Sequence, residues 1–439
     1  MSDLAADDAD SFPTPVGRHR CLEGYVVLDL SQYLSGPLSA MILAILGATV
    51  IKIEPPDTGE GVRNQPPFVT GDGLSKRKAT SEDRGIAFLK RNACKLSLPL
   101  DLKSEAGYAA FLRLVATSDA VIHNYRPGVP ERLKVDAASL KAVNPNLVYC
   151  GIDGFGAYAR PGDKRSAFDV VIQALSGVMA FSGQPDGPPT LCGAPIGDQC
   201  AGLFAAIAVL AGLLQRDGGR SDEGAPDISV SMLNSISMLI WDEHRDLYVQ
   251  DGIVDRWGNR TPRNYPFDTY RTADGLYVAI SGAGPVDWTN LVEATAIPEL
   301  LARPEWRQLD ARVRDREEID RYLVPWFQSR SREEVLRVVG GRGVTVVPVM
   351  GINDIMGDDR FRRAVLFDLD DSEHGETGAL HARFPIVIGG KQPGPYDPPA
   401  PPLGQDTAAL LKRYAGMDDA EIAALAAAGA TSLATRNGH

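Results

Sequence analysis

A chain of 439 residues exceeds what one ordinary hydrophobic core holds and points to two or three domains. Its 44% hydrophobic and 23% charged residues are those of a globular protein rather than a disordered one. The net charge of −12 argues against nucleic acid or an anionic membrane as main partner, so an anionic ligand needs a local cluster of Lys and Arg. The five cysteines (Cys21, Cys94, Cys150, Cys192 and Cys200) form no CxxC pair and no Cys/His metal spacing. They read as reduced thiols of a cytoplasmic protein, and no metal site is expected. The acidic opening, MSDLAADDADSF, is unlike a signal or transit peptide.

Residues 1–21 read as a flexible tail. Tyr25–Leu30 is a buried strand, Ser35-Gly36-Pro37 a turn, Leu38–Leu46 a helix, and Thr49–Ile53 a second strand closed by Pro55 and Pro56. Short connections of this kind imply parallel strands with a right-handed crossover. The alternation continues with helix Ser104–Thr117, strand Ala120–His123, helix Ala137–Ala142 and strand Leu147–Ile152. The expected fold class is therefore α/β, a doubly wound layer. No GxGxxG follows the first strand, so a dinucleotide site lacks its phosphate-binding turn.

The most informative stretch is Pro189–Leu214, PTLCGAPIGDQCAGLFAAIAVLAGLL. A helical segment, Ala167–Ser176, precedes it. Asp198 stands where a helix N-cap belongs, ahead of an apolar run, Ala201 to Leu214, that is 14 residues long and too short to span a bilayer. Its simplest role is a cap. The same position keeps a carboxylate ionised, and an ionised carboxylate in a sheltered glycine-lined loop can act as a nucleophile. Beyond it come a polar turn at Asp217–Pro226, a strand at Ile228–Val230 and a helix from Met232 to Tyr248. The large domain is placed at 22–248. Paired strands at Tyr265–Arg271 and Leu276–Ser281, a Ser281–Pro285 turn, helices over Arg312–Val339 and a strand at Val344–Val349 define a smaller domain at 249–349. Residues 350–439, with a Pro-rich piece and an Ala-rich last helix from Asp418, are expected to return to the large domain, because a lone helix of that length is marginal in water.

Eight segments occur in a known order: VVLDLSQYLSGPLSAMILAILGATVIKIEPP, KLSLPLDLKSEAG, VIHNYRPGVPERL, NPNLVYCGIDGFG, FDVVIQALSGVM, APIGD, YRTADGLYVAISGAG and PPLGQDTAALL. Together they resemble the family III CoA-transferases, which include formyl-CoA and carnitine CoA-transferases. The resemblance implies a Rossmann-like large domain, a smaller α+β domain and an interlocked, ring-shaped homodimer. It also implies CoA transfer between an acyl-CoA thioester and a free carboxylic acid, with CoA as substrate and product and no tightly bound cofactor. The aspartate matching the family's nucleophile is Asp198. Gly282 and Gly284 match the family's glycine-rich loop, whose N–H groups would face a developing oxyanion. Asn124 and Arg132 match CoA-contacting positions, and Tyr33, Leu34 and Ser35 match a segment lining the thioester site. Lys95 and Arg63, by charge, and Met232, beside the pantetheine arm, are further candidates.

Departures from formyl-CoA transferase (Leu34 for a glutamine, Pro55 for an arginine, Asp153 for a lysine) speak against formyl or oxalate as the native pair. His123 replaces a glutamate and reads as structural. A sister branch, α-methylacyl-CoA racemase, needs a histidine at the place of Phe168, thirty residues before Asp198. A phenyl ring accepts no proton, which disfavours racemisation. A non-catalytic acyl-CoA-binding protein is the remaining alternative.

Overall fold

The computed structural model describes residues 12–163, 165–219, 224–241 and 256–433. Six parallel strands form the main sheet: β1 (Val26–Asp29), β2 (Thr49–Glu54), β3 (Lys95–Pro99), β4 (Ala120–His123), β5 (Val148–Asp153) and β6 (Asp227–Ser231). Their spatial order is β6-β5-β4-β1-β2-β3. The order reverses beside β1, whose neighbours are β2 and β4, so the chain's crossovers run outward in both directions from it.

Helices cover both faces, which is why the central strands read as apolar runs rather than alternating ones. One face carries α1 (Ser35–Ile45) and the long α6 (Ile196–Asp217), which pack on each other; α6 also lies on β5. The other carries α3 (Glu105–Ala116) together with two C-terminal helices, Thr407–Ala415 and Asp419–Ala427. There Phe111, Leu114 and Val115 meet Leu410, Leu411, Ile422 and Leu425 in one buried core. Burying the apolar face of the Ala-rich last helix supplies what its length alone does not.

Several element boundaries differ from the sequence reading, with physical causes. Ser35-Gly36-Pro37 is not a turn but the first turn of α1; proline loses nothing there, since an N–H at that position has no intrahelical acceptor. Helix α6 runs 22 residues, well past the apolar run, with a mean hydropathy of 1.7 over its apolar window. By length and composition it could cross a membrane, yet half of that window is buried inside the chain. Helix α7 (Met232–Ile240) follows β6; the remainder of the helix expected to Tyr248, like the first residues of the N-terminal tail and part of the 217–226 turn, lies outside the described residues.

The chain divides into two compact units. The first comprises 1–176, 193–241 and 360–439; the second comprises 177–192 and 242–359. The smaller unit thus takes in 177–192, which the sequence reading left in the large domain, and extends to Asp359 rather than 349. Inside it, antiparallel strands Phe267–Arg271, Tyr277–Ser281 and Thr345–Pro348 pack against helices around Trp288, Trp306, Ile319, Leu323 and Phe327.

Candidate active site

The first unit contains a cavity of about 1000 Å³ at the carboxyl ends of the parallel strands. Its walls come from the segment after β1 (Gln32–Ser35), the segment after β4 (Asn124–Val129), the long connection after β5 (Ile152 to Val170), Met232 at the start of α7, and Asp198. In an open parallel sheet the two connections leaving β1 and its neighbour β4 head apart, and ligands occupy the crevice this opens. The sheet order therefore places the cavity.

Asp198 lies in the first turn of α6, not at its cap. The cap is supplied from outside. Asp169, the first residue of α5 (Asp169–Ser176), accepts from the N–H of Gly197 at 2.8 Å and of Asp198 at 3.3 Å, and its other oxygen accepts from Gln173 Nε2 at 2.6 Å. This frees the Asp198 side chain to face the cavity, half-buried. There the N–H and hydroxyl of Ser35 favour its ionised form. Burial pushes its carboxyl up to about 6, and the negative charge of Asp169 adds to the rise, while the Ser35 bonds and the Arg91 guanidinium oppose it. The sequence reading, by contrast, had the cap position keep this group ionised. The outcome is a carboxylate more basic than a surface aspartate yet still ionised at neutral pH, which suits a nucleophile.

Close approach of α1 and α6 makes the Ser35–Asp198 contact. At Gly202 an added Cβ would come within 2.7 Å of the Ser35 carbonyl oxygen and 3.2 Å of Leu38, so only glycine lets the two helices meet at this depth. Tyr33, with φ 67°, occupies the left-handed region that non-glycine residues rarely adopt, and its carbonyl accepts from Arg91 Nη1 at 3.0 Å. Asn124 zips to the same segment: its Oδ1 accepts from Gln32 N–H at 2.8 Å, and its Nδ2 donates to Gln32 O at 2.7 Å.

Of the residues singled out from sequence, Tyr33, Leu34, Ser35, Asn124, Met232 and Asp198 gather on this one cavity. Others do not. Lys95 is fully buried, donating to Asp29 Oδ2, the Pro37 carbonyl and Asn92 Oδ1, each at 2.8 Å, so its ammonium reaches no phosphate. Arg63 is likewise buried, forked onto Glu54 at 2.7 and 2.8 Å. Arg132 is exposed on the short helix Val129–Leu133 and is not part of the cavity wall. Gly282 and Gly284 belong to the second unit; the Gly282 N–H already donates to Pro266 O at 3.0 Å, which removes it as a free oxyanion donor. His123 is buried, its Nδ1 accepting from Tyr125 N–H and its Nε2 2.6 Å from the Tyr149 hydroxyl, with burial pulling its pKa down to about 4. That is the structural histidine expected. Phe168, exposed by 57%, lines the cavity where a racemase would need its base.

Comparison with known proteins identifies the family. The model of CoA-transferase family III matches residues 22–407. This chain belongs to CoA-transferase family III. It is 35% identical over 398 residues to a succinyl-CoA:mesaconate CoA-transferase of Haloarcula hispanica, covering 89% of this chain and 95% of that one. It is 30% identical over 404 residues to an acetyl-CoA:oxalate CoA-transferase of Acetobacter aceti, covering 92% and 98%. Among solved structures, a CaiB/BaiF family protein from Brucella suis superposes with a TM-score of 0.74 at 28% identity, over 91% of this chain and 98% of that one. The protein is thus an enzyme that moves CoA from an acyl thioester to a free carboxylate.

Three arginines on the wall of this CoA-transferase's cavity went unmarked in the sequence: Arg91, Arg126 and Arg165. Arg126 stands inside the VIHNYRPGVPERL segment and was legible there, being two residues beyond Asn124. Arg165 forks onto Asp163 and lies over the Phe155 ring at 4.6 Å, a pairing between residues that periodicity does not single out. Asp153, noted only as a departure, accepts from the Gly156 N–H and from Ser229 Oγ, closing the loop after β5.

Proposed function

We propose that Asp198 is the covalent nucleophile of CoA transfer and that the acids exchanged are dicarboxylates. The carboxylate attacks the thioester carbonyl of the donor, forming an acyl-aspartyl anhydride and expelling CoA thiolate. The thiolate attacks the aspartyl carbonyl, releasing the donor acid and leaving an aspartyl-CoA thioester. An incoming carboxylate displaces the thiolate as a new anhydride, and the thiolate then takes its acyl group, restoring Asp198. A carboxylate suits this sequence because an anhydride keeps the acyl group activated, whereas a serine ester would not pass it on. Both intermediates hydrolyse readily, so water must be kept from them.

The single observation that carries the reading is Asp198 itself. It is a half-buried carboxylate on the wall of the cavity, its side chain capping no helix and opposed by no direct ion pair among the described residues, raised to about 6. Arg91, Arg126 and Arg165 on the same wall supply cations for CoA phosphates and for the second carboxylate of a diacid. The matched relatives named for succinyl-CoA with mesaconate, glutarate or citramalate favour that class. The strand order β3-β2-β1-β4-β5-β6 supports a Rossmann-like large domain. An interlocked homodimer is supported by the apolar residues that α6 and α7 leave exposed, Leu203, Ile207, Leu214, Met238 and Leu239. Gly284 is the remaining candidate oxyanion donor of its loop.

The test is a matrix of thioester donors (succinyl-, acetyl- and formyl-CoA) against mono- and dicarboxylic acceptors, read by mass. Succinyl-CoA with a four- or five-carbon diacid is expected to give the fastest exchange. Enzyme pre-incubated with donor should gain the mass of an adduct and lose activity to hydroxylamine, and Asp198→Ala should show neither while still binding CoA. Wild-type turnover by Asp198→Ala would refute the nucleophile.

A further inference from the structure

Bonded to both ends of the segment that supplies Gln32–Ser35 to the cavity wall is a polar cluster, in a place that a parallel sheet would ordinarily fill with aliphatic side chains. Asp29 at the end of β1, Lys52 in β2 and Lys95 in β3 are all 0% exposed. Glu54, Glu60 and Arg63 complete the cluster, with Lys52 Nζ 2.8 Å from Glu60 Oε2 and Arg63 forked on Glu54. Three cations thus face three carboxylates. Burying so many charges is expensive, and apolar residues of the same volume generally serve stability as well or better. What apolar residues cannot do is hold the polar groups of a backbone in one arrangement.

That is where these side chains point. Asp29 Oδ1 accepts from the Ser31 N–H at 2.9 Å and from the Ser31 hydroxyl, while its Oδ2 takes Lys95 at 2.8 Å and Lys52 at 3.5 Å. Lys52 donates to Ser31 O at 2.9 Å; Lys95 donates to Pro37 O at 2.8 Å. The segment clamped between those anchors contains Tyr33 in its left-handed conformation and Ser35, which lines the cavity beside Asp198, packs against α6 at Gly202 and favours the Asp198 charge. A strained residue of that kind persists only where its surroundings over-determine it. Gly36 adds to the constraint: a Cβ there would lie 2.2 Å from Ser31 Cβ, so the two ends of the turn are in contact.

We propose that Asp29, Lys52 and Lys95 are positioning residues for CoA transfer, fixing the Ser31–Pro37 segment so that Ser35 holds the Asp198 carboxylate in its attacking orientation. The inference rests on Asp198 being the nucleophile. None of the three touches the reacting atoms. They act through Ser31 and Pro37 on Ser35, and through Ser35 on Asp198.

The experiment compares Ser31→Ala, Lys95→Met and Asp198→Ala in the full chain, each checked for folding by circular dichroism and thermal melting. Ser31→Ala keeps the fold's charges and removes only one hydroxyl bond, so it remains informative even where Lys95→Met fails to fold. It is expected to lower kcat about tenfold or more while leaving KM for the acyl-CoA within about twofold. It should also raise the acid limb of the kcat profile by about half a pH unit, because slackened Ser35 bonds stabilise the carboxylate less. Lys95→Met, where folded, should do both more strongly. A kcat that falls only with the folded fraction, on an unmoved acid limb, would make the cluster purely structural and overturn the proposal. So would wild-type kcat in Ser31→Ala alongside a dead Asp198→Ala. An active Asp198→Ala would instead overturn the nucleophile assignment, which separates the two failures.

Discussion

Two loops of this chain are held from behind by buried cations, and they are held in different ways. In the first unit, Lys52 and Lys95 grip the Ser31 and Pro37 carbonyls while carboxylates balance their charge. In the second, the guanidinium of Arg312 is 0% exposed and has no carboxylate against it among the described residues. It donates to carbonyls alone: Tyr265 at 2.9 Å, Trp306 and Arg307 at 3.0 Å each, and Ala283 within the Ser281–Gly284 loop, with the Trp288 ring 5.1 Å from its carbon. The planar fork of arginine can satisfy several carbonyls at once, and its charge is spread widely enough to tolerate burial against dipoles and an aromatic face. A lysine's compact charge cannot, so it enters the interior with carboxylates beside it. The lesson is that one task, fixing a loop's backbone, takes either a network of opposite charges or a single delocalised one.

The comparison can be broken most sharply at Arg312. Arg312→Met leaves the bonded carbonyls without donors and should cost about 3–5 kcal/mol, read by urea denaturation, since each buried acceptor left unpaired costs about 1–3 kcal/mol. Lys95→Met should cost less, about 2 kcal/mol, because Lys52 still neutralises Asp29. Equal losses, or the reverse order, would dissolve the distinction. Next comes Gly202→Ala, which pushes α6 away from the Ser35 carbonyl: about 1–3 kcal/mol from overpacking, with a disproportionate fall in kcat as Ser35 and Asp198 part. A loss of stability with unchanged turnover would show that the helix spacing matters to the fold alone.

The smallest effect concerns the nucleophile's own charge. The folded-state carboxyl of Asp198 sits at about 6, above its ordinary value of 3.8. The native state therefore binds more protons than the unfolded state between those values, and the penalty of ionisation is absent below 3.8 and complete above 6. Asp198→Asn should consequently be at least as stable as wild type at pH 8, by up to about 1 kcal/mol after allowance for solvent. The advantage should vanish near pH 4. The same titration predicts that transfer activity falls as the pH drops through about 6, since only the ionised form attacks. A profile flat down to pH 4.5 would put a different group, or a different charge state, at the centre.

Much of the site was legible in the order of residues because each candidate lay next to an element end. Tyr33, Leu34, Ser35 and Asn124 follow strands whose apolar runs are unmistakable, and Asp198 stands in the first turn of the longest apolar helix. Lys95 and Arg63 were misplaced for the opposite reason. A lysine in a strand looks the same whether it faces solvent or a buried aspartate, and the carboxylates paired with Lys95 and Arg63, Asp29 and Glu54, are 66 and 9 residues away respectively. Asp169 as the external cap of α6 was equally invisible, because the bond spans 28 residues between two helices.

What the amino-acid order determined by itself was the alternation of strands and helices, the crossovers it forces, and the acidic residue at the head of α6, since these depend on local propensity and short connections. The tertiary structure alone decided which charges went inside, which aspartate became the cap and which was left facing the cavity. Burial and pairing are properties of groups brought together from distant parts of the chain, and the free energy of a charge is set by what surrounds it rather than by its neighbours in sequence.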